Sequence, residues 1–426
     1  MCNPTAGKVS SISDKNQPES PRTRIFLDLF SVKTFQKNPG SDKLDPLHCH
    51  GSPSHVSVSL LTEAKSLFTL AFPIAFTALV LYLRSVVSML FLGRLGDLEL
   101  AAGSFAIAFA NITGYSVLSG LALGMEPLCS QAFGAHRFKL LSITLHRTVV
   151  FLLICSLPIS LLWLNVGKIS VYLHQDPDIA RLARIYLLFS LSDLFTNSFL
   201  HPIRIYLRAQ GIVHPVTLAS LAGAVFHLPA NFFLVSYLRL GLAGVSLASA
   251  VSNLFVLFFL VVYVWVSGLH APTWTDPTTR DCFSGWQPLL RLAGPSCVSV
   301  CLEWWWYEIM IVLCGLLVNP RSTVAAMGVL IQTTSLLYVF PSSLGFAVST
   351  RVGNELGANR PKTAKLAASV AIHTYIYIYS FRNWDKEAKK AQALTCLGNV
   401  EGVAGAAVDD GESDEAEPLI RITVLY

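Results

Sequence analysis

Acidic residues inside apolar stretches are the first candidates for chemistry in this sequence. Glu303 lies near the middle of the apolar block 289–318. Burial in hydrocarbon disfavours the charged carboxylate, so such a group can bind and release a proton near neutral pH. A carboxylate that either a proton or a cationic substrate neutralises would exchange one for the other. We therefore predict a proton-coupling and substrate-binding role for Glu303. The alternative is a structural hydrogen bond to a neighbouring helix.

A second acid and a run of aromatic residues follow Glu303. Glu308 is five residues further on, about 140° around a helix, so the two carboxylates do not share a face. It is the second candidate for proton coupling. The aromatic residues between the acids are Trp304, Trp305, Trp306 and Tyr307. Aromatic faces attract organic cations by ~0.5–2 kcal/mol, so Trp304 and Tyr307 are predicted to line the substrate site. Lipid contact or helix packing is the alternative for these rings.

Three further charged residues lie in apolar blocks or at their ends. Arg84 is inside the first block and is always charged, so it cannot carry a proton. We expect it to form a structural ion pair with Asp193 or Glu126. Asp193 lies in the middle of the fourth block, where it is either the partner of Arg84 or a further proton site.

Composition indicates the elements that must position these residues. The chain of 426 residues is 53% hydrophobic and only 13% charged, against about 25% charged residues in ordinary soluble domains. This excludes an ordinary soluble enzyme and a disordered protein, and no cofactor is predicted. A net charge of +5 without a dense basic face argues against nucleic-acid binding. The cysteines lack a paired pattern, and the motif His48-Cys49-His50 lacks a second ligand pair, so no metal site is predicted.

The apolar residues form blocks long enough to cross a bilayer, for which about 20 residues suffice. The lipid-exposed backbone must satisfy its own hydrogen bonds, so each block is predicted to be a helix. Loop arginines and lysines favour a cytosolic N-terminus. The sequence therefore predicts an all-α polytopic membrane protein. The blocks are 67–92, 101–125, 143–164, 185–203, 212–237, 242–266, 289–318, 323–349 and a short ninth at 363–380.

The sequence also repeats itself. The stretch SQAFGAHR at 130–137 recurs as GNELGANR at 353–360, and LAFP at 70–73 recurs as LAGP at 292–295. The offsets are 223 and 222 residues, and six predicted spans separate the copies. An even number of spans gives a parallel repeat, as in transporters with two lobes around a binding cavity. The two arginine-containing motifs are interpreted as turns that fix their own lobes.

These motifs resemble the MATE (multidrug and toxic compound extrusion) family, specifically its plant DETOXIFICATION branch. The resemblance covers roughly residues 60–370 and includes LFLGRLG at 90–96, MEPLCSQAFGA at 125–135, CLEWWWYE at 301–308 and RVGNELGANRP at 351–361. It implies a two-lobe bundle of twelve spans in the bilayer. It also implies export of organic cations, xenobiotics or metabolites, driven by inward movement of protons or sodium, with protons the usual ion in plants. Glu303 matches the acid of the family's seventh span.

The predicted organisation departs from the family after Ala371. We expect a disordered cytosolic arm over 1–64, a six-helix N-lobe over 65–268 and a cytosolic linker over 269–288. A truncated C-lobe over 289–381 and a polar tail over 382–426 follow. The tail resembles one that follows a twelfth span, as if spans ten to twelve were skipped. This predicts weak transport.

Two alternatives to transport by this chain remain open. A truncated isoform could associate with full-length homologues and modulate them without transporting. A seven- or eight-span receptor is disfavoured by the internal repeat. The predicted location is the plasma membrane or a vacuolar or endosomal membrane, with the pattern at 415–420 as a possible sorting signal. Block 363–380 is expected at the cytosolic interface rather than across the bilayer, because it is short and contains His373.

Overall fold

The computed structural model describes residues 53–172, 176–268, 270–271, 273–274, 283–315 and 320–380. The predicted arm before residue 53, the tail 382–426 and the pattern at 415–420 lie outside the described residues. Helices form the described part, and two short π-helical segments interrupt them at Asn111–Tyr115 and Phe232–Tyr237. The α-helices are α1 Pro53–Leu95, α2 Asp97–Ala110, α3 Ser116–Leu123, α4 Glu126–Gly134, α5 Phe138–Leu164, α6 Val166–Tyr172, α7 Pro177–Ala209, α8 His214–Asn231, α9 Leu242–Val266, α10 Gln287–Gly315, α11 Pro320–Gly357 and α12 Pro361–Ser380.

We use the name N-lobe for α1 to α9 and C-lobe for α10 and α11. Chain contacts divide the molecule after Ala368, so α12 begins in the larger unit and ends in the smaller one. Within the described residues, helices long and apolar enough to cross a membrane confirm the predicted all-α polytopic class. They cover Leu60–Leu95, Asp97–Gly134, Phe138–Leu164, His214–Tyr237 and Gly241–Val266.

Helix α1 begins earlier than predicted. The boundary at residue 64 falls inside this helix, which starts at Pro53. Glu63 was assigned to a disordered arm, but it is only 5% exposed and binds Arg351 of α11. The ion pair explains why the helix start was predicted too late. A polar segment looks solvent-exposed in the sequence when its partner, here Arg351, lies far away along the chain.

Helix α7 is the centre of the N-lobe and is also longer than predicted. Asp176 caps its first turn, accepting a hydrogen bond from the Asp178 backbone N–H at 2.8 Å. The helix continues to Ala209, so Arg204 and Arg208, which follow the predicted block 185–203, also lie in the helix. It is long enough to span a bilayer, but because of its polar residues it is not among the helices named above as apolar enough to cross a membrane.

Small hydroxyl-bearing residues hold α7 against its neighbours. Ser198 of α7 and Ser156 of α5 have their hydroxyl oxygens 2.8 Å apart, and Ser190 of α7 and Ser246 of α9 are also 2.8 Å apart. All four side chains are buried. Small residues allow close approach of helices in a membrane, where apolar burial alone gives little attraction between them.

The two copies of the repeated motif have the same backbone structure. His136 and Asn359, 223 residues apart, both adopt left-handed conformations, with φ of 56° and 57°. The N–H of Arg137 bonds the Ala132 carbonyl, and that of Arg360 bonds the Glu355 carbonyl, both at 2.8 Å. Each pattern is a Schellman turn, which ends a helix. The left-handed residue is therefore the histidine or asparagine rather than the preceding glycine.

The glycines of the motif serve a different purpose, because they allow the two lobes to touch. A Cβ atom added to Gly134 would lie 1.9 Å from the carbonyl oxygen of Asn354, and one added to Gly357 would lie 2.1 Å from that of Gln131. The two contacts are related by the repeat, since each pairs a glycine with the residue three positions before the other glycine. Helices α4 and α11 therefore cross with their backbones in contact.

A second crossing joins the lobes through α3 and α10. A Cβ atom at Gly120 would lie 2.6 Å from the Cα of Cys297, and one at Gly124 would lie 2.5 Å from the Cα of Ala293. Helix α1 packs on α11, and α3 packs on α10. The interface between the lobes thus has the approximate two-fold arrangement expected from a parallel repeat.

Gly357→Ala should destabilise this structure, because its methyl group would force two backbones apart. We expect a loss of about 1–3 kcal/mol in the free energy of unfolding, the usual range for overpacking. Gly345→Ala on the same helix is the control, since nothing lies within 4 Å of its Cβ position. Thermal unfolding of the purified chain in detergent measures both. Equal midpoints for the two variants would contradict the close contact.

Candidate functional site

Glu303 lies on α10 with its side chain exposed, and Tyr338 of α11 shares a side-chain hydrogen bond with it. Tyr307, one turn along α10, is close enough for electrostatic interaction with Tyr338. The predicted acid is therefore held by a tyrosine from the other C-lobe helix. Sequence analysis missed Tyr338 as a site residue.

The aromatic residues after Glu303 divide between two environments. Trp304 and Trp306 are 36% and 57% exposed, and Tyr307 is half-buried. Trp305 donates a hydrogen bond from Nε1 to the carbonyl oxygen of Ile112 in the N-lobe at 3.1 Å. Trp305 therefore contacts the other lobe. The predicted role of Trp304 and Tyr307 in lining the substrate site remains a proposal. The side chain of Glu308 lies outside the described residues.

Asp193 is the centre of a buried polar network in the N-lobe. Its Oδ2 accepts a hydrogen bond from the Tyr115 hydroxyl at 2.7 Å, and its Oδ1 accepts one from the Asn253 amide at 2.5 Å. The side chain is 6% exposed. The π-helical segment Asn111–Tyr115 ends at the tyrosine that makes the first bond. Irregular turns of this kind often occur at functional sites.

The predicted partners of Arg84 need a correction. Its Nη1 donates to Oδ1 of Asn253 at 2.6 Å, so the amide connects the arginine to Asp193. Glu126 does not pair with Arg84, because its Oε2 accepts a hydrogen bond from Arg208 at 2.8 Å. Glu126 begins α4, beside the last turn of α7 where Arg208 lies, whereas Arg84 is in the body of α1.

The two tyrosines that hold acids are related by the internal repeat. Tyr115 and Tyr338 are 223 residues apart, the offset of the arginine-containing motifs. Tyr115 holds Asp193 in the N-lobe, and Tyr338 holds Glu303 in the C-lobe. The acids themselves are not at equivalent positions. Each lobe therefore bonds one carboxylate to its own copy of the repeated tyrosine, although the two acids lie at different positions of the repeat.

A buried histidine forms a second N-lobe network that sequence analysis missed. His227 has no exposed surface, and its Nε2 is 2.9 Å from both the Ser88 hydroxyl and the Asn231 amide nitrogen. Its Nδ1 is 2.9 Å from the Ser252 hydroxyl, which donates its own proton to the Ala248 carbonyl. The amide of Asn231 is a donor, so Nε2 accepts and Nδ1 carries the proton of a neutral imidazole.

Charged contacts also connect the lobes near the repeated motifs. Arg351 of α11 donates to both carboxylate oxygens of Glu63 in α1, at 2.8 and 3.1 Å, and also pairs with Glu355 at 3.0 Å. Arg208 of α7 lies over the ring of Phe346 of α11, 4.3 Å from its centroid. Paired charges and close glycines therefore occur in the same part of the interface between the lobes.

The described residues contain no cluster of ligands that could hold a metal ion. A pocket lined by Leu164, Asn165, Gly167, Lys168 and Arg184 includes none of the predicted site residues.

A model of the MatE family matches residues 73–233 and 295–381. The two matches begin 222 residues apart, which confirms the repeat predicted from sequence. The second match is about half as long as the first. A family match to both copies accounts for the common backbone of their motifs.

Similar proteins include known transporters. Protein DETOXIFICATION 51 of Arabidopsis thaliana is 60% identical over an alignment that covers all of both chains. Multidrug and toxin extrusion protein 2 of Mus musculus is 37% identical over 74% of this chain and 55% of its own length. The crystal structure of the eukaryotic MATE transporter AtDTX14 has a TM-score of 0.71 and 30% identity over 82% of this chain and 76% of that chain.

The alignment with DETOXIFICATION 51 also shows a difference in length. It runs over 540 positions, whereas this chain has 426 residues. Since both chains are covered from end to end, many positions of the relative have no counterpart here. The shorter second family match agrees with a C-lobe that has fewer residues than the N-lobe.

His227→Leu should lower stability, because Ser88, Ser252 and Asn231 would each lose a buried partner. A buried polar group left without a hydrogen bond costs about 1–3 kcal/mol. The control is His214→Leu at the exposed start of the same helix. Thermal unfolding in detergent should show a lower midpoint for the first variant only. Unchanged unfolding of His227→Leu would show that the network does not stabilise the lobe.

Proposed function

Because this chain belongs to the MATE family of efflux transporters, we propose that it exports small organic cations, xenobiotics or metabolites in exchange for protons. Glu303 carries the exchanged proton in this proposal. The observation on which it depends is the exposed Glu303 carboxyl beside Tyr338, at the start of an aromatic run. Proton coupling and substrate class are both parts of the proposal.

Exchange follows when proton and substrate compete for one carboxylate. A cation that approaches Glu303 is attracted by the negative charge and by the faces of Trp304 and Tyr307. Protonation of Glu303 removes the charge and releases the cation. Tyr338 keeps the carboxyl in place in both states, since a hydroxyl can donate to a carboxylate or accept from a carboxylic acid.

Asp193 has a different place in this proposal. Both of its carboxylate oxygens accept hydrogen bonds, from Tyr115 and Asn253, and Arg84 is one hydrogen bond away. This arrangement supports a structural role with Arg84 more than a proton-carrying role, and leaves Glu303 as the main candidate for coupling.

The lobe contacts define one conformation of the proposed transport cycle. The glycine crossings and the Glu63–Arg351 ion pair close the space between the lobes beside the repeated motifs. With the predicted cytosolic N-terminus, both motifs would lie on the cytosolic side, because each follows an even number of predicted spans. Alternating access would then require the lobes to separate there by rocking, as in other transporters built from repeats.

Glu303→Gln should remove the pH dependence of cation binding. In the parent chain, affinity for a fluorescent organic cation should fall as pH falls, because protons neutralise the carboxylate that attracts the dye. The glutamine variant should bind more weakly at high pH and show a flat profile. Asp178→Asn, at an exposed acid, is the control. Fluorescence titration of the purified chain across pH gives the measurement, and a retained pH dependence in Glu303→Gln would refute the coupling role.

Transport by this chain should be slower than transport by DETOXIFICATION 51. A cavity between two lobes needs walls from both, and this chain has residues for only part of the second. Missing helices would also leave small and polar faces towards lipid. The two proteins can be compared in proteoliposomes at equal density and equal proton gradient, with uptake of a cationic dye per protein molecule as the readout. Equal rates would contradict this expectation.

A further inference from the structure

The connection between α5 and α7 forms a pocket that the proposed transport function does not use. Its volume is about 500 Å³, within the ~300–1,000 Å³ typical of pockets for small ligands. Helix α5 ends at Leu164, the short helix α6 follows, and α7 begins at Pro177. All three helices contribute to the pocket. The lining residues are Leu164, Asn165, Gly167, Lys168 and Arg184.

Two cations give this pocket its charge. Lys168 of α6 and Arg184 of α7 both line it, and both residues are exposed. Within the part of the chain that the structure describes, neither takes part in an ion pair, whereas Arg181 Nη2 is 3.8 Å from Asp178 Oδ1. Gly167 lets α6 lie close to α7, because a Cβ atom there would be 3.4 Å from the Cδ of Arg184. The pocket thus presents two positive charges to a ligand.

An apolar stripe leads away from this pocket along α5. Leu157, Leu161 and Leu164 are exposed and are separated by four and three residues, so they lie on the same side of the helix. They cover about 10 Å of its length. On α7, Leu188 is also exposed and lies one turn further along the helix than Arg184. Both helices therefore carry apolar side chains from the charged pocket towards the middle of the membrane.

The neighbouring residues place the pocket at the depth of the lipid headgroups. Helix α5 is long and apolar enough to cross a membrane, and its last residue lines the pocket. Tyr172 at the end of α6 is exposed, and tyrosines accumulate at membrane–water interfaces. With the predicted cytosolic N-terminus, this end of α5 is on the opposite side of the membrane, where the positive-inside rule does not account for Lys168 and Arg184. A ligand that requires both cations would account for them.

We propose that this pocket binds the phosphate group of an anionic phospholipid, with an acyl chain of the lipid along the leucines of α5. A guanidinium group can donate two parallel hydrogen bonds to a phosphate, and the ammonium group of Lys168 adds a second positive charge. The leucines supply apolar contact for the chain. Bound lipid would stabilise the packing of α5, α6 and α7 at this end of the N-lobe. The inference does not depend on the proposed transport function.

Native mass spectrometry of the purified 426-residue chain in detergent, stripped of co-purified lipid, counts bound lipid molecules directly. Dioleoylphosphatidylglycerol, which is anionic, is compared with dioleoylphosphatidylcholine, which has the same acyl chains and no net charge. The dissociation constant should be roughly 25-fold lower for the anionic lipid, about fivefold for each cation. Lys168→Gln and Arg184→Gln should each lower this preference about fivefold, and together they should abolish it.

The matched control is Arg181→Gln, which removes an exposed cation three residues before Arg184 but outside the pocket. It should leave the preference unchanged. An equal loss in this variant would show that the lipid is attracted by surface charge in general, and would overturn the site. Lys168→Arg keeps the charge and should keep the preference. Because Lys168 and Arg184 are exposed, the variants should fold, and thermal unfolding without lipid checks this.

Two further arms distinguish a lipid from a soluble phosphate. A large excess of inorganic phosphate should not displace the anionic lipid. Leu161→Asn should weaken binding of both lipids, whereas Leu254→Asn, at an exposed leucine of α9, should not. Displacement by inorganic phosphate, or unchanged binding in Leu161→Asn, would overturn the lipid assignment. Equal affinity of the parent chain for the two lipids would overturn the proposal whatever the variants show.

Discussion

Charges inside the bilayer have to be compensated, and this constraint determines how the N-lobe is built. Each uncompensated charge at the centre of a membrane costs ~2.5–3.5 kcal/mol on insertion scales. Asp193 meets the constraint with a tyrosine, an amide and, through the amide, Arg84. Glu126 meets it with Arg208. These bonds connect α1, α7, α9 and the π-helical segment, so charge compensation and helix packing depend on each other.

The second constraint is the approach of the lobes. Backbone contact at Gly134 and Gly357 requires that both crossing positions lack a Cβ atom. The same motif ends its helix through a left-handed residue two positions later, at His136 and Asn359. One short sequence therefore fixes both the end of a helix and its contact with the other lobe. Because the motif occurs in both copies, the interface acquires its approximate two-fold arrangement.

Local sequence predicted some features well and others poorly, for physical reasons. The helices, the repeat and the family followed from hydropathy and from motifs that are continuous in sequence. The hydrogen-bond partners of the buried polar side chains could not be predicted, because they are distant in sequence. Arg84 and Asn253 are 169 residues apart, and Ser88 and His227 are 139 apart. The end of α7 was placed too early, because a polar stripe that faces protein looks like a loop when only average hydropathy is considered. The roles of Glu303 and Trp304 remain predictions.

The contacts of α10 connect the two acids in space. Glu303 bonds Tyr338 of α11, and two residues later Trp305 donates to the Ile112 carbonyl in the π-helical segment of the N-lobe. That segment ends at Tyr115, which holds Asp193. The helix that carries the proposed proton site therefore also contacts the segment that positions the N-lobe acid. A change in the position of α10 on protonation would act directly on both lobes.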